Sequence, residues 1–315
     1  MSAEQRWWLG RNTDASGANV VRLGESGVGM QASRLVAAGK PNDAAGQRRA
    51  AGRRAVLLSL RDVNKYYTSA GEAPTTALDT VCLDVYQGEL VAIVGPSGGG
   101  KSTLLQIAAG LIPPSCGQVL LDGRPISGPP PEVVYLFQQY SKSLFPWRTV
   151  THNVAFALEQ SNLRRREVMD RARSYLKRVA LEDFGNHYPW QLSGGMQQRV
   201  AIARALAAEP RALLMDEPFS AVDALTRLEL QTLLLDIWHS NEDLTIVLVT
   251  HDVDEAVYLA DRIAVLTRNS RQVLQVFENS LPRPRHPIET RESQSFLSLR
   301  HTLLSILLRR SNGRS

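Results

Sequence analysis

What the chain has little of narrows it first. Cysteine occurs twice in 315 residues, as Cys82 and Cys116, too few for the disulfide frameworks that staple small secreted domains. The two read as free, buried thiols in a reducing compartment. No run of about 18 consecutive apolar residues occurs, so no segment reads as a membrane-spanning helix. The opening MSAEQRWWLGRN has no apolar stretch of signal-peptide length. No internal repeat is evident. Charge of one sign is also missing where it would matter. The net charge of +5 invites a nucleic-acid reading until it is located along the chain. Residues 1–55 carry nine Lys/Arg against four Asp/Glu, and residues 268–315 nine against three, whereas 56–267 carry eighteen against twenty-four. The central body is acidic, which argues against a basic groove through a folded core, and nucleic acid is not expected as a partner.

An apolar content of 43% with 21% charged residues suits a globular chain long enough to bury a real core. Residues 1–55 are rich in Gly, Ala, Ser, Asn and Arg without periodicity, and read as a disordered extension. The texture changes at Ala55. AVLLSLRDV (55–63) and TVCLDVYQG (80–88) read as strands, the second alternating. LVAIVG (90–95) is an unbroken apolar run of the kind buried on both faces. VVYLF (133–137), ALLM (212–215), TIVLVT (245–250) and IAVL (263–266) are similar. Helical patterns lie between them at 163–180, 194–208, 223–240 and 253–260, so the fold class is α/β with a largely parallel sheet. Residues 160–195 look mainly helical, a candidate separate lobe. LPRPRHP (281–287) reads as a linker. SFLSLRHTLLSILLRR (295–310) reads as an amphipathic helix with Phe296, Leu299, Leu303, Ile306 and Leu307 on one side.

The strand at 90–95 runs into Gly95, Pro96, Ser97, Gly98, Gly99, Gly100, Lys101, Ser102 and Thr103, followed by helix-prone LLQIAAGL. This is G-x-x-x-x-G-K-[ST] in its required strand-to-helix context. The glycines let consecutive N–H groups turn inward around phosphate oxygens, and the helix start adds partial positive charge. Lys101 supplies a full charge to β- and γ-phosphates, and Ser102 a hydroxyl for Mg²⁺. The chain is therefore expected to bind a nucleoside triphosphate.

Three further motifs choose among phosphate-loop proteins. ALLMDEP (212–218) ends an apolar strand in Asp216, suited to the Mg²⁺ site, and Glu217, able to orient or deprotonate the attacking water. In TIVLVTHD (245–252) the strand runs into His251, within reach of a γ-phosphate. In LSGGMQQRVAIARAL (192–206), Ser193, Gly194 and Gly195 precede a helix and form a second anion site. One nucleotide does not need two such sites unless the second serves another subunit.

On these motifs the chain resembles the nucleotide-binding subunits of ATP-binding cassette (ABC) transporters over about residues 57–270. The resemblance implies a P-loop NTPase fold with a mixed, largely parallel sheet, an antiparallel β subdomain and a helical subdomain over about 139–195. The ATP-binding domain would span 56–270 and a tail 271–315. Tyr67, in VNKYYTS, falls where an aromatic ring stacks on adenine, with Tyr66 the alternative. Gln138 falls at the glutamine that contacts Mg²⁺ and water, with Gln139 adjacent. Ser193, Gly194 and Gly195 would close over the opposite subunit's γ-phosphate, and Asp223, ending SAVD, would sit at the dimer seam. Asp216 becomes a metal ligand, Glu217 the catalytic base and His251 the switch histidine. Implied as well are ATP and Mg²⁺, a homodimer of cassettes, two transmembrane permease subunits, a solute-binding protein acting indirectly, and a peripheral place on the cytoplasmic membrane face. SLFPWRTVTHNVAFAL and the LPRPR tail resemble the nitrate, sulfonate and taurine importers. Alternatives are an importer ATPase for another small solute or a nucleic-acid or ribosome ATPase. The latter usually carries paired cassettes or a long coiled-coil insertion, and the interval Ser102–Ser193 has neither.

Overall fold

The computed structural model describes residues 55–68, 74–267 and 271–311. The extension expected over 1–55 lies, but for Ala55, outside the described residues. In chain order come β1 (Val56–Tyr67), β2 (Thr75–Tyr86), β3 (Leu90–Val94), α1 (Lys101–Ala108), β4 (Cys116–Leu121), β5 (Arg124–Pro125) and β6 (Val133–Leu136). Helices α2 (Tyr140–Ser143), α3 (Val150–Ala155), α4 (Arg165–Arg178) and α5 (Gly194–Ala207) follow. The rest is β7 (Ala212–Asp216), α6 (Ala224–His239), β8 (Thr245–Thr250), α7 (Val253–Leu259), β9 (Arg262–Leu266), β10 (Val273–Glu278), α8 (Glu289–Glu292) and α9 (Gln294–Ser311).

The unbroken apolar runs become the inner strands β9, β3, β8 and β7 and the edge strand β6 of a six-stranded sheet ordered β10-β9-β3-β8-β7-β6, parallel except for β10. Every residue of β3, β7 and β8 is buried. Strand alternation then feeds two cores. Leu90, Ala92, Val94, Ile246, Leu248, Leu213 and Met215 face the helices of one layer. Val91, Ile93, Val247, Val249 and Leu214 face α1 and the second sheet. That second sheet is antiparallel, ordered β2-β1-β4-β5. Between β6 and β7 all regular structure is helical. Among the described residues no helix is long and apolar enough to cross a membrane.

The helix starts that matter are capped by short polar side chains, which satisfy otherwise orphaned N–H groups. Ser193 accepts from Met196 N, Asp223 from Leu225 and Thr226 N, and Asp252 from Asp254 and Glu255 N.

One reading changes. Cys82 and Cys116 are exposed, not buried. Cys82 lies between the buried Val81 and Leu83, so strand alternation turns it outward, and its thiol meets Asp62 Oδ1 at 3.3 Å. Cys116 opens β4 at an exposed end. The main sheet is completed by β10, which follows residue 270 and pairs with β9. Beyond it α9 docks on the first core through Phe296 and Leu303, both fully buried, with Leu299, Ile306 and Leu307 packed alongside. Removing the ring at 296 leaves a cavity inside that core. Phe296→Ala should cost about 3–5 kcal/mol, seen as a lower urea midpoint with an unchanged denaturant slope.

Candidate active site

The phosphate loop is shaped by what surrounds it. Gly100 has φ 89°, and a Cβ there would lie 2.4 Å from the Ala77 carbonyl oxygen and 2.9 Å from Leu78 Cδ2. A Cβ on Gly95 would lie 2.3 Å from the Leu266 carbonyl oxygen. The loop is thus wedged between β2 and β9, where only glycine fits. Gly99 N donates to Pro96 O at 3.1 Å, closing the turn, while Pro96, Ser97 and Gly98 face solvent. Lys101 is 5% exposed, and its Nζ donates to Gly95 O at 2.9 Å and Pro96 O at 3.0 Å. Among the described residues these carbonyls engage two of its three donors. Burial pulls the Lys101 ammonium below its ordinary pKa, and the Glu217 and Asp216 carboxylates oppose that pull. Ser102 and Thr103 complete the first turn of α1.

Ser102 joins this loop to β7. Its hydroxyl donates to Asp216 Oδ1 at 2.9 Å, across 114 residues of chain. The other carboxylate oxygen, Oδ2, accepts from the Tyr135 hydroxyl at 2.9 Å. Burial, and then the Asp216 charge, raise the phenol's pKa well above its usual value, so Tyr135 remains a donor. Sequence reasoning missed Tyr135. Its signal was a lone hydroxyl in the apolar run VVYLF, one strand away from ALLMD.

Glu217 follows Asp216 but does not continue the strand. Its φ is 45°, a left-handed conformation that is unusual for a residue with a Cβ and costs roughly 1–3 kcal/mol. The turn breaks the alternation that would send its side chain to the face opposite Asp216. Its N–H still donates to Val249 O at 3.0 Å, which ties it to β8. Glu217 Oε2 accepts from Gln138 Nε2 at 3.0 Å and lies 3.3 Å from His251 Nδ1. Gln138 therefore reaches the site from just beyond β6, whereas the Gln139 carbonyl accepts from Lys142 N.

The remaining expected residues lie apart from this group. Tyr67, at the end of β1, pairs with Thr75, two residues from the Ala77 that abuts the loop. Its ring is exposed under the Lys65 ammonium, 5.4 Å from the ring centre, while the Tyr66 hydroxyl donates to Asn64. Ser193, Gly194 and Gly195 open α5, and Asp223 caps α6. Among the described residues the Ser193 and Asp223 side chains bond within those helix starts rather than to the phosphate loop. A Cβ on Gly195 would lie 2.4 Å from Thr226 Cγ2, so the two helix starts touch. The Thr226 and Leu225 donors hold the Asp223 carboxyl below the usual range.

The chain can now be set beside known proteins. The family model described as ABC transporter matches residues 78–220. An uncharacterized ABC transporter ATP-binding protein of Methanocaldococcus jannaschii is 48% identical over 80% of this chain and 91% of its own length. The chain belongs to the ABC transporter ATP-binding family. An aliphatic sulfonates import ATP-binding protein of Bacillus cereus is 41% identical, covering 79% of this chain and 95% of that one. A solved dimeric ATP-binding cassette, in a post-hydrolysis state with ADP and Pi, has a TM-score of 0.62 and 36% identity over 70% of this chain and 98% of its own. The protein is an ABC-type ATPase, and its ligand is ATP.

The donors of this cassette also fit Mg²⁺. Among the described residues no cluster of three or more His, Cys, Asp or Glu could cage a metal. A hydroxyl and a carboxylate 2.9 Å apart, Ser102 and Asp216, suit instead a hard cation that keeps waters and takes substrate phosphate oxygens. Tyr135 bonds the same carboxylate. Tyr135→Phe, which preserves the ring, should cost about 1–3 kcal/mol as a lost hydrogen bond to a charged group, measured by urea unfolding without nucleotide.

Proposed function

We propose that the chain is the ATP-hydrolysing subunit of an importer, energising uptake of a small oxyanion such as an aliphatic sulfonate, taurine or nitrate. The grouping of Gln138 and His251 around Glu217 Oε2, beside the Ser102–Asp216 pair, carries the hydrolytic reading. The sulfonate-importer relative supports the transported class.

In this reading the glycine-rich turn, Thr103 and the start of α1 bind the phosphates. Lys101 adds a positive charge to the β- and γ-oxygens, and Tyr67 offers its exposed ring to adenine. Ser102, Asp216 and Gln138 would hold Mg²⁺, which when bound offsets the charge that builds on the transferring phosphoryl group. Glu217 accepts a proton from the attacking water at Oε2, as the general base. Gln138 and His251 keep that oxygen from rotating away, and the left-handed turn aims it off the strand axis. Ser193, Gly194 and Gly195 present the free N–H groups of α5 to the nucleotide of a second cassette, with Asp223 at the seam. The arrangement is head-to-tail, and the likeness to a dimeric cassette supports the dimer it requires. Two permease subunits, reached indirectly by a solute-binding protein, complete the transporter on the cytoplasmic membrane face. The domain limits proposed are 56–270 for the cassette and 271–315 for the tail, whose first strand, β10, adds an edge to the cassette's sheet.

Glu217→Gln should leave ATP affinity within about twofold and reduce turnover by about 10²–10⁴, with an ATP-bound dimer accumulating on gel filtration. Hydrolysis near the wild-type rate would remove Glu217 from the base role. Lys101→Ala should instead lose ATP affinity in equilibrium dialysis, and unchanged affinity would overturn the phosphate-loop assignment. For the transported class, the cassette purified from membranes should bring with it a permease partnered with a sulfonate-binding protein. A ribosome or DNA complex in its place would reject the importer.

A further inference from the structure

His251 projects from a turn that is built from below. Thr250, the last residue of β8, is buried, and its Oγ1 accepts from Asp252 N at 3.0 Å, bridging the turn around His251. The same hydroxyl donates to Glu255 Oε2 at 2.7 Å. Glu255, in the first turn of α7, is 5% exposed. A carboxylate so far from water needs donors on both oxygens. Its Oε1 accepts from Gln231 Nε2 at 3.3 Å, with Arg227 Nε at 3.8 Å.

Gln231, on α6, is 1% exposed, and its amide can serve Glu255 in only one orientation. Turned over, its oxygen would face the carboxylate. The oxygen is held the other way by Arg291, whose Nη2 donates to Gln231 Oε1 at 2.7 Å. Arg291 lies in α8, and its guanidinium is seated 4.6 Å from the centre of the Tyr258 ring on α7. A second tie, Arg300 Nε to Asp254 Oδ1 at 2.6 Å, joins α9 to the start of α7. A bonded chain thus runs Arg291, Gln231, Glu255, Thr250, and ends at the turn that offers His251 to Glu217.

We propose that Arg291, acting through Gln231 and Glu255, is a positioning residue for His251, so that the C-terminal segment sets the rate of ATP hydrolysis without touching nucleotide. This rests on the reading of His251 as part of the hydrolytic group. The segment has other anchors. Phe296 and Leu303 are in the core, and Arg285 donates to the Tyr258 and Ala260 carbonyls at 2.9 Å each. Loss of the Arg291 guanidinium therefore does not release it. What the loss frees is the Gln231 amide, then Glu255, then the turn.

The test uses the full-length chain in steady-state ATP hydrolysis with saturating Mg²⁺. Arg291→Ala should lower kcat about tenfold, with KM and ATP affinity within about twofold. Arg291→Lys, which keeps one donor for Gln231, should recover at least half of the loss. Thr250→Val, which breaks the chain at its other end, should reproduce the kcat loss. In a His251→Ala background, Arg291→Ala should add nothing further. Wild-type kcat in both Arg291→Ala and Thr250→Val, with only a lowered Tm, would overturn the proposal and leave the network as scaffolding. A His251→Ala variant that itself hydrolyses at the wild-type rate would instead reject the hydrolytic reading on which it rests.

Discussion

The site depends on one constraint, the levelling of three parallel strand ends. In the register of the central sheet Val94 of β3 stands opposite Thr250 of β8, and Asp216 of β7 opposite Val249 of β8. One residue further along each strand come Gly95, His251 and Glu217. A slip of one residue in either pairing would turn an entire inner strand inside out, because each alternates between two separate apolar cores. Double-sided burial therefore holds the phosphate turn, the carboxylate pair and the histidine at one height. The chemistry gathers at the carboxyl ends of adjacent parallel strands, as open α/β sheets commonly arrange it.

Within that frame the local backbone departs from regular geometry where function asks for it. Gly100 and Gly95 lie against the carbonyls of Ala77 and Leu266, so the loop is moulded by β2 and β9 from outside. Glu217 takes a left-handed turn, and its carboxylate meets Gln138 and His251 instead of passing to the face of the sheet opposite Asp216. Two carboxylates on consecutive residues repel each other. Here each has its own donors, Ser102 and Tyr135 for one, Gln138 for the other.

The strands and the motif-bearing turns were legible because their signals are local. An apolar run ended by Gly95, by Asp216 or by His251 shows both a buried strand and its functional tip. Helices α4 to α7 were legible from their 3.6-residue period to within a residue or two. The cysteines were misread because low abundance suggested burial, while the alternation Val81–Cys82–Leu83 already pointed Cys82 outward. β4 and β10 escaped notice because neither is buried on both faces: β4 begins with three exposed residues, and β10 is an edge strand. Tyr135, Gln231 and Glu255 escaped for a different reason. Each owes its role to a partner at least one strand or helix away, and a single polar residue in an apolar stretch does not name its partner.

The basic C-terminal segment shows how charge read from composition can mislead. Its arginines suggested an anionic partner outside the chain, yet the structure sets four of them against the cassette itself. Arg283 donates to Asp261 Oδ1 and the Leu259 carbonyl, and Arg285 to the carbonyls that end α7. Arg291 donates to Gln231, and Arg300 forms an ion pair with Asp254. A cation at a helix C-terminus meets the negative end of its dipole, and the acidic body supplies the rest of the counter-charge. Part of the positive charge beyond residue 267 thus faces the acidic body directly, through Arg283–Asp261 and Arg300–Asp254. These contacts give the tail a route to the turn carrying His251, because Arg291 and Arg300 bind α6 and α7, the helices packed beside that turn.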